Sequence, residues 1–281
     1  MHFFRYHAIG NDYLVIRESD LPAPLTVAQV RRICHRNYGV GSDGILLHVN
    51  DLAGGSFVLR IYNPDGSQAE KSGNGLRIFA RYLWDRQRVV DQPFEVSTAG
   101  GTVSCRVGDR GRIVTVEMGA LTFDSTRIPV AGTAREVLRE RFIIDGVELE
   151  YSCASIGNPH CVILREELSE TETRRFGPLI EVEPRFPNRT NVQFLKIVDR
   201  ANIGIQIWER GAGFTLASGS SSSAAAGVAH RLGLCDANID VHAPGGAIRI
   251  EIDPRFNVRM TGPVTHIADG EIDPEALEDA T

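Results

Sequence analysis

The sequence is expected to fold as α+β: two similar domains of mostly antiparallel, curved sheet, each built around one central helix. Three observations lead there. The chain repeats itself at a nearly constant offset. Short stretches that alternate apolar and polar residues dominate, as half-buried strands do. Two amphipathic helical patterns occupy matching places, and each starts at a Ser-Gly pair.

The repeat is the firmest of the three. Ile9-Gly10-Asn11 returns as Ile156-Gly157-Asn158, an offset of 158 − 11 = 147. The alternating run Phe57-x-Leu59-x-Ile61 returns as Ile203-x-Ile205-x-Ile207, and Ser72-Gly73 returns as Ser218-Gly219, an offset of 218 − 72 = 146. Tyr62-Asn63 corresponds to Trp208-Glu209, and both lead into a glycine-containing turn. Each half then closes on a strand of the form Val-x-Met, Val116–Met118 and Val258–Met260. Four matches in one order predict an internal duplication. The first half is expected over residues 1–118 and the second over 119–263, with a strand at 264–272 returning to the first.

In chain order, strands are expected at 13–17 and 45–49, with a helix over Val27–Asn37 between them. The run 57–63 is a strand by its alternation. After Ser72, the residues Leu76, Phe79, Ala80 and Leu83 fall at i, i+3, i+4 and i+7, which is one face of a helix. Strands follow at 94–97, 102–107 and 112–118, then a helix over Thr133–Arg141. Strands at 161–164, 192–198 and 203–209 precede the second central helix, where Ala225, Val228, Ala229 and Leu232 repeat the spacing after Ser218. Its alanines allow very close packing. Strands at 248–252 and 256–260 end the second half. Serine is a favoured cap, so both Ser-Gly pairs are placed at helix N-termini.

Composition excludes several classes. No apolar run in the 281 residues approaches the ~20 needed to span a membrane. The start, Met-His-Phe-Phe-Arg-Tyr, is unlike a secretion signal. The formal charge of −6 has its signs interspersed, so no basic stripe suggests nucleic acid. Five cysteines, Cys34, Cys105, Cys153, Cys161 and Cys235, are odd in number and loosely spaced. They suggest neither a disulfide framework nor a zinc site, and fit reduced thiols in a cytoplasm. The 28 glycines cluster beside polar residues, which points to tight turns, not to a flexible linker.

A helix N-terminus offers free N–H groups and the positive end of the dipole, and so attracts a carboxylate. Two such termini, one per domain, suit a ligand held between domains. They place two equivalent side chains on opposite faces of it. That is what a two-base racemase requires: one group removes the α-proton and the other returns one to the opposite face. No phosphate loop, dinucleotide fingerprint or HExxH motif competes with this reading.

The motifs resemble those of the diaminopimelate epimerase family. Asn63-Pro64-Asp65-Gly66-Ser67 through Ser72-Gly73-Asn74-Gly75-Leu76-Arg77 looks like its first signature. Gly157-Asn158-Pro159-His160-Cys161-Val162 is similar to a second segment, and Glu209-Arg210-Gly211-Ala212-Gly213 through Thr215-Leu216-Ala217-Ser218-Gly219-Ser220 to a third. His7–Asp12 resembles the N-terminal segment, so the likeness runs from residue 1 to about 272. It implies a pseudo-symmetric two-domain isomerase that is usually a homodimer. It also implies proton transfer between two cysteines, with neither pyridoxal phosphate nor metal, on a small amino-acid substrate of lysine and peptidoglycan synthesis. The substrate contacts it assigns are Asn11, Asn63, Gly73, Asn74, Asn158, Asn191, Glu209, Arg210, Gly219 and Ser220. Asparagines and an arginine suit a ligand with several ammonium and carboxylate groups.

The departure is at the reacting positions. Where the family keeps its two cysteines, this sequence has Ser72 and Ser218. A thiol starts near pKa 8.5 and falls further at a helix start, whereas a hydroxyl starts far higher and is a poor α-proton base. Ser72, Ser218, His160 and Glu209 are the candidate catalytic residues, with Lys71 as a further base if burial depresses its pKa. Four readings stay open at this point. They are a pair of cysteines deliberately changed, a natural variant that still moves the α-proton, different isomerase or lyase chemistry on the same scaffold, and binding without turnover. The changed neighbours Lys71 and Ser221–Ser223 argue against the first. Lys71 alternatively points to solvent, His160 is alternatively structural, and Ser220–Ser223 alternatively form a small-residue start to a close-packed helix. Cys161 reads as a buried core thiol.

Overall fold

The computed structural model describes residues 1–52 and 55–277. They form two compact units, Met1–Val116 together with the chain from Gly262 onward, and Glu117–Thr261. No helix among the described residues is long and apolar enough to cross a membrane.

In the first unit, strands β1 (His2–Ala8), β2 (Asn11–Arg17), β3 (Ile45–Leu52), β4 (Ser56–Tyr62), β5 (Gln68–Ala69), β6 (Phe94–Thr98), β7 (Gly101–Gly108) and β8 (Ile113–Ala120) follow one another. Helix α1 (Val27–Cys34) lies between β2 and β3, and helix α2 (Gly73–Asp85) between β5 and β6. In the second unit come β9 (Glu140–Ile144), β10 (Val147–Ser155), β11 (Pro159–Leu164), β12 (Asn191–Asp199), β13 (Asn202–Glu209), β14 (Gly213–Thr215), β15 (Asn238–Ala243), β16 (Gly246–Ile252) and β17 (Asn257–Pro263). Helix α3 (Glu170–Glu181) lies between β11 and β12, and α4 (Gly219–Arg231) between β14 and β15. The last strand, β18 (Thr265–Glu271), pairs with β1.

The duplication is visible pairing by pairing. β1–β2 is antiparallel, as is β10–β11. β2–β3 is parallel around α1, as β11–β12 is around α3. β4 takes β5 and then a parallel β6, as β13 takes β14 and then a parallel β15. Even an irregularity recurs: the β3–β4 ladder slips between His48 and Asn50, and the β12–β13 ladder between Ile197 and Asp199. Crossovers place helices on both faces of each sheet. The outer helix of the first unit buries Val30, Ile33 and Cys34 against Leu14, Ile16, Ile45 and Leu47. The outer helix of the second buries Phe176 and Ile180 against Val192 and Phe194.

The central helices α2 and α4 are buried through nearly every turn. Helix α4 can be so because it is made of small residues. A Cβ on Gly227 would come within 2.3 Å of Leu121 Cδ1. Its buried serines return their hydroxyls to the helix, Ser222 to the Ser218 carbonyl at 2.9 Å and Ser223 to the Gly219 carbonyl at 2.8 Å. They form the close-packed start considered for Ser220–Ser223. All five cysteines are buried and unpaired.

Two local expectations are corrected, and one helix is new. Residues 133–141 do not form a helix, because tertiary partners claim their backbone groups. Arg135 C=O accepts from Ser125 N, Val137 N donates to Phe123, and Arg139, at a positive φ of 53°, donates its N–H to Ser152 Oγ at 3.0 Å. The helix from Val27 stops at Cys34, short of Asn37, because His35 Nδ1 takes the next amides, from Asn37 and Tyr38. Helix α3 (Glu170–Glu181) is an element beyond those expected, and it carries Gly177 and Pro178 within it. Gly177 is where the Trp208 ring lies on the helix, and a Cβ there would meet Trp208 Cγ at 2.5 Å.

Candidate active site

The two helix starts are built alike, each with a serine cap on a buried helix. In the first unit, Ser72 is the N-cap of α2, with extended backbone, and its Oγ accepts from Gly75 N at 3.0 Å. Tyr13 Oη lies 3.4 Å from the same oxygen. A Cβ on Gly75 would sit 3.0 Å from Leu46 and 3.2 Å from Ser72 Oγ, so a side chain here would have to push these neighbours back by a few tenths of an ångström. Asn74, almost fully buried, donates from Nδ2 to Asn11 Oδ1 at 3.0 Å and accepts from Arg77 Nη2 at 2.6 Å. Asn11 in turn donates to Asp43 Oδ2 at 2.9 Å.

This chain of contacts begins and ends in charge. Arg77 is fully buried, its Nε and Nη1 have no hydrogen-bond partner among the described residues, and burial pulls its pKa down to about 9. At the other end, Arg36 bridges Asp43 and Asp12 at 2.7 and 2.8 Å, and Arg5 holds Asp12 at 2.6 Å. Burial would raise Asp12, but hydrogen bonds from Arg36 and Arg5 outweigh it and hold the carboxyl below its usual range. Asn63 stands apart from this chain. Its carboxamide donates to Ser67 Oγ at 2.9 Å inside its own turn. Lys71 is half-buried, and burial lowers its pKa, with the buried Cys105 thiol as its electrostatic neighbour.

In the second unit, Ser218 caps α4 and accepts from Ser221 N at 3.4 Å. Its Oγ lies 3.5 Å from Ser220 Oγ. Asn158 donates from Nδ2 to Ser220 Oγ at 3.3 Å and faces His160 Nε2 with Oδ1 at 3.0 Å. His160 is fully buried. Burial, with a smaller push from the positive charge of Arg210, pulls its pKa down to about 3. The ring is therefore neutral at ordinary pH. A neutral ring that faces a carbonyl oxygen carries its proton on Nε2.

Strand register gathers the rest. His160 pairs with Asn191 across β11–β12, and Val192 pairs with Trp208 across β12–β13, so residues 160, 191 and 209 end three adjacent strands. Asn191 braces them: Nδ2 donates to the Pro159 carbonyl at 2.9 Å and Oδ1 accepts from Arg210 N at 3.0 Å. Arg210 Nη1 reaches the Asn188 carbonyl at 2.9 Å. Glu209 is half-buried at the end of β13. Gly73 and Gly219 are the first residues of their helices, and the Gly219 carbonyl holds Ser223.

Of the residues singled out from sequence, Asn11, Ser72 and Asn74 come together in one unit, and Asn158, His160, Asn191, Arg210, Ser218 and Ser220 in the other. Tyr13, Asp43 and Arg77 were missed. Tyr13 carried a readable signal, because it follows Asn11 at the spacing by which His160 follows Asn158.

A duplicated fold with a capped, buried helix in each half is shared with solved structures that include an epimerase. A hydroxyproline epimerase from Agrobacterium vitis superposes with a TM-score of 0.73 at 15% identity, over 98% of this chain and 93% of its own. A phenazine biosynthesis protein of the PhzF family from Bacillus anthracis gives a TM-score of 0.68 at 14% identity, over 97% of this chain and 98% of its own. These likenesses speak to the fold. The family follows from sequence: the diaminopimelate epimerase family model matches residues 3–123 and 152–267. Diaminopimelate epimerase 2 of a Nostoc species is 56% identical over 275 residues, covering 98% of this chain and 96% of that protein. Diaminopimelate epimerase of Moorella thermoacetica is 37% identical, covering 96% of this chain and 99% of that one. The chain belongs to the diaminopimelate epimerase family, and so to the isomerases of epimerase type.

Proposed function

We propose that this chain binds diaminopimelate and inverts its α-carbon between the LL and meso forms, with Ser72 and Ser218 at the two reacting positions. The observation that carries the reading is the matched pair of caps. Ser72 and Ser218 each hold the N-cap of a buried 13-residue helix at equivalent points of a duplicated unit. The amides of Gly73, Asn74, Gly219 and Ser220 are offered to the α-carboxylate, where they stabilise charge as the carbon loses its proton. Asn11, Asn63, Asn158, Asn191, Glu209 and Arg210 take up the remaining ammonium and carboxylate groups. We take 1–118 and 119–263 as the two duplicated halves, with 264–272 returning to the first.

Serine supplies no thiolate, so the α-proton must end on a stronger base. Burial moves the Lys71 amine toward a pKa at which it takes a proton, and moves His160 away from one. Glu209 is the remaining carboxylate among the candidates. A second reading, binding without turnover, is favoured by one observation: both cap oxygens are hydroxyls already engaged by the amides of Gly75 and Ser221.

Incubation with LL- and meso-diaminopimelate in deuterated water separates the two readings, with the doubly substituted Ser72→Cys, Ser218→Cys protein run alongside. Deuterium uptake at the α-carbon by the native chain supports native epimerisation. Uptake by the double-cysteine protein alone leaves the native chain a binding scaffold, and uptake by neither points to another substrate. The same family reading supports a cytoplasmic homodimer without nucleic-acid or membrane partners, which light scattering on the purified protein tests as to mass.

A further inference from the structure

Helix α3 ends on a residue that is wrong for its place. Glu181 is its last residue, and a carboxylate there meets the negative end of the helix dipole. It is also 7% exposed, which costs further unless donors surround it. Three do. Oε2 accepts from the Trp208 indole at 2.8 Å, and Oε1 accepts from Gly211 N and from Arg189 Nη1, both at 3.0 Å. Its backbone carbonyl accepts from Thr190 N at 3.1 Å.

These partners bracket the turn that carries Glu209 and Arg210. Trp208 precedes the pair and Gly211 follows it, so one carboxylate fixes the turn on both sides. Arg189 and Thr190 lead directly into Asn191, which itself holds the Arg210 amide. The Trp208 ring is pressed flat by Gly177 one turn earlier in α3. A burial this costly to the helix is explained by what it holds, and what it holds is the substrate-facing turn.

We propose that Glu181 is a positioning residue, whose carboxylate locks the Trp208–Gly211 turn so that Glu209 and Arg210 meet the substrate in one geometry. The inference rests on the reading that those two residues bind substrate, and its test separates the two claims. Amide hydrogen exchange at Gly211 reports the clamp without any ligand, and calorimetric titration with meso-diaminopimelate reports its effect on the site.

In Glu181→Ala, Gly211 exchange is expected to quicken by at least about tenfold and affinity to fall by a similar factor. Glu181→Gln, which keeps one acceptor oxygen, is expected to recover most of both. Unchanged Gly211 exchange in both variants overturns the proposal, as does quickened exchange with affinity within twofold of the native protein. If Glu181→Ala does not fold, the same two readouts on Glu181→Asp, whose carboxylate is drawn back by one methylene, decide in its place, with exchange several-fold faster and affinity lower in support and native values against. If the native protein binds neither stereoisomer, the substrate reading fails separately. Exchange then judges the clamp: acceleration confined to 208–211 supports it, and none overturns it.

Discussion

The starts of α2 and α4 occupy equivalent positions in the two units, yet they are wired with different chemistry. The α2 start is strung between charges. Arg77 donates to Asn74, Asn74 to Asn11 and Asn11 to Asp43, which Arg36 holds from outside. The α4 start is neutral: a buried imidazole, a carboxamide and two hydroxyls, from His160 through Asn158 and Ser220 to Ser218. The duplicated backbone preserved the asparagine that follows Ile-Gly and the serine that caps the helix, and little else. A duplication therefore fixes where a side chain can act and leaves free what it does there.

The sharpest test of this difference is to remove the buried cation. Arg77 has a neutral counterpart, Ser223, one helix turn along α4 from the cap. Arg77→Met strips Asn74 of its 2.6 Å charged donor in a fully buried place. A loss of about 2 kcal/mol in urea unfolding is expected, the worth of a hydrogen bond to a charged group. Ser223→Ala removes only a hydroxyl returned to a helix carbonyl, and should cost at most about 1 kcal/mol. Equal losses would mean that Arg77 is not what holds the α2 start together.

Most of the fold was legible because its signals are local and repeated. Alternation marked the strands around 57–63 and 203–209, and the i, i+3, i+4, i+7 spacing marked α2 and α4. What was not legible depends on partners far along the chain. Residues 133–141 carry good helix formers, but Phe123, Ser125 and Ser152 take their backbone groups. Helix α3 hid behind Gly177 and Pro178, and Glu181 with it. At the site, motif positions gave Ser72, Asn158 and His160 from sequence. Arg77 lay inside a quoted motif without showing its role, because nothing in sequence says that an arginine at a helical i+3 from Asn74 will be wholly buried.

Acidification probes the neutral side next. At the place where the second unit has His160, the first has Tyr13, which does not titrate in acid. An unfolded His160 takes a proton near 6.5, and the folded one only near about 3. Between those values the unfolded chain holds more protons, so stability falls as pH falls through this window and is fully present above it. The contribution approaches about 1.4 kcal/mol per pH unit as an upper bound. His160→Gln is expected to flatten the stability curve between pH 6.5 and 3 relative to the native protein. The ring's carbon chemical shifts should stay those of a neutral imidazole at pH 5. A ring that titrates near 6.5 in the folded protein would place a charge at the α4 start and erase the contrast with α2.

The smallest expected effect bears on the two serines themselves. Both cap their helices, and losing such a cap to alanine costs about 1 kcal/mol. Ser72 accepts at 3.0 Å, whereas Ser218 accepts at 3.4 Å and also lies 3.5 Å from Ser220 Oγ. Thermal unfolding of Ser72→Ala should therefore show the larger loss, by a few tenths of a kcal/mol. A hydroxyl that caps with one lone pair keeps its proton and its second lone pair for another partner, and its proton suits a donor to substrate better than a base. If Ser218→Ala costs nothing, that oxygen is not held by the helix, and the α4 start has the freer hydroxyl to offer a reacting carbon. If the two losses are equal, the difference between the two starts lies entirely in the residues around the serines.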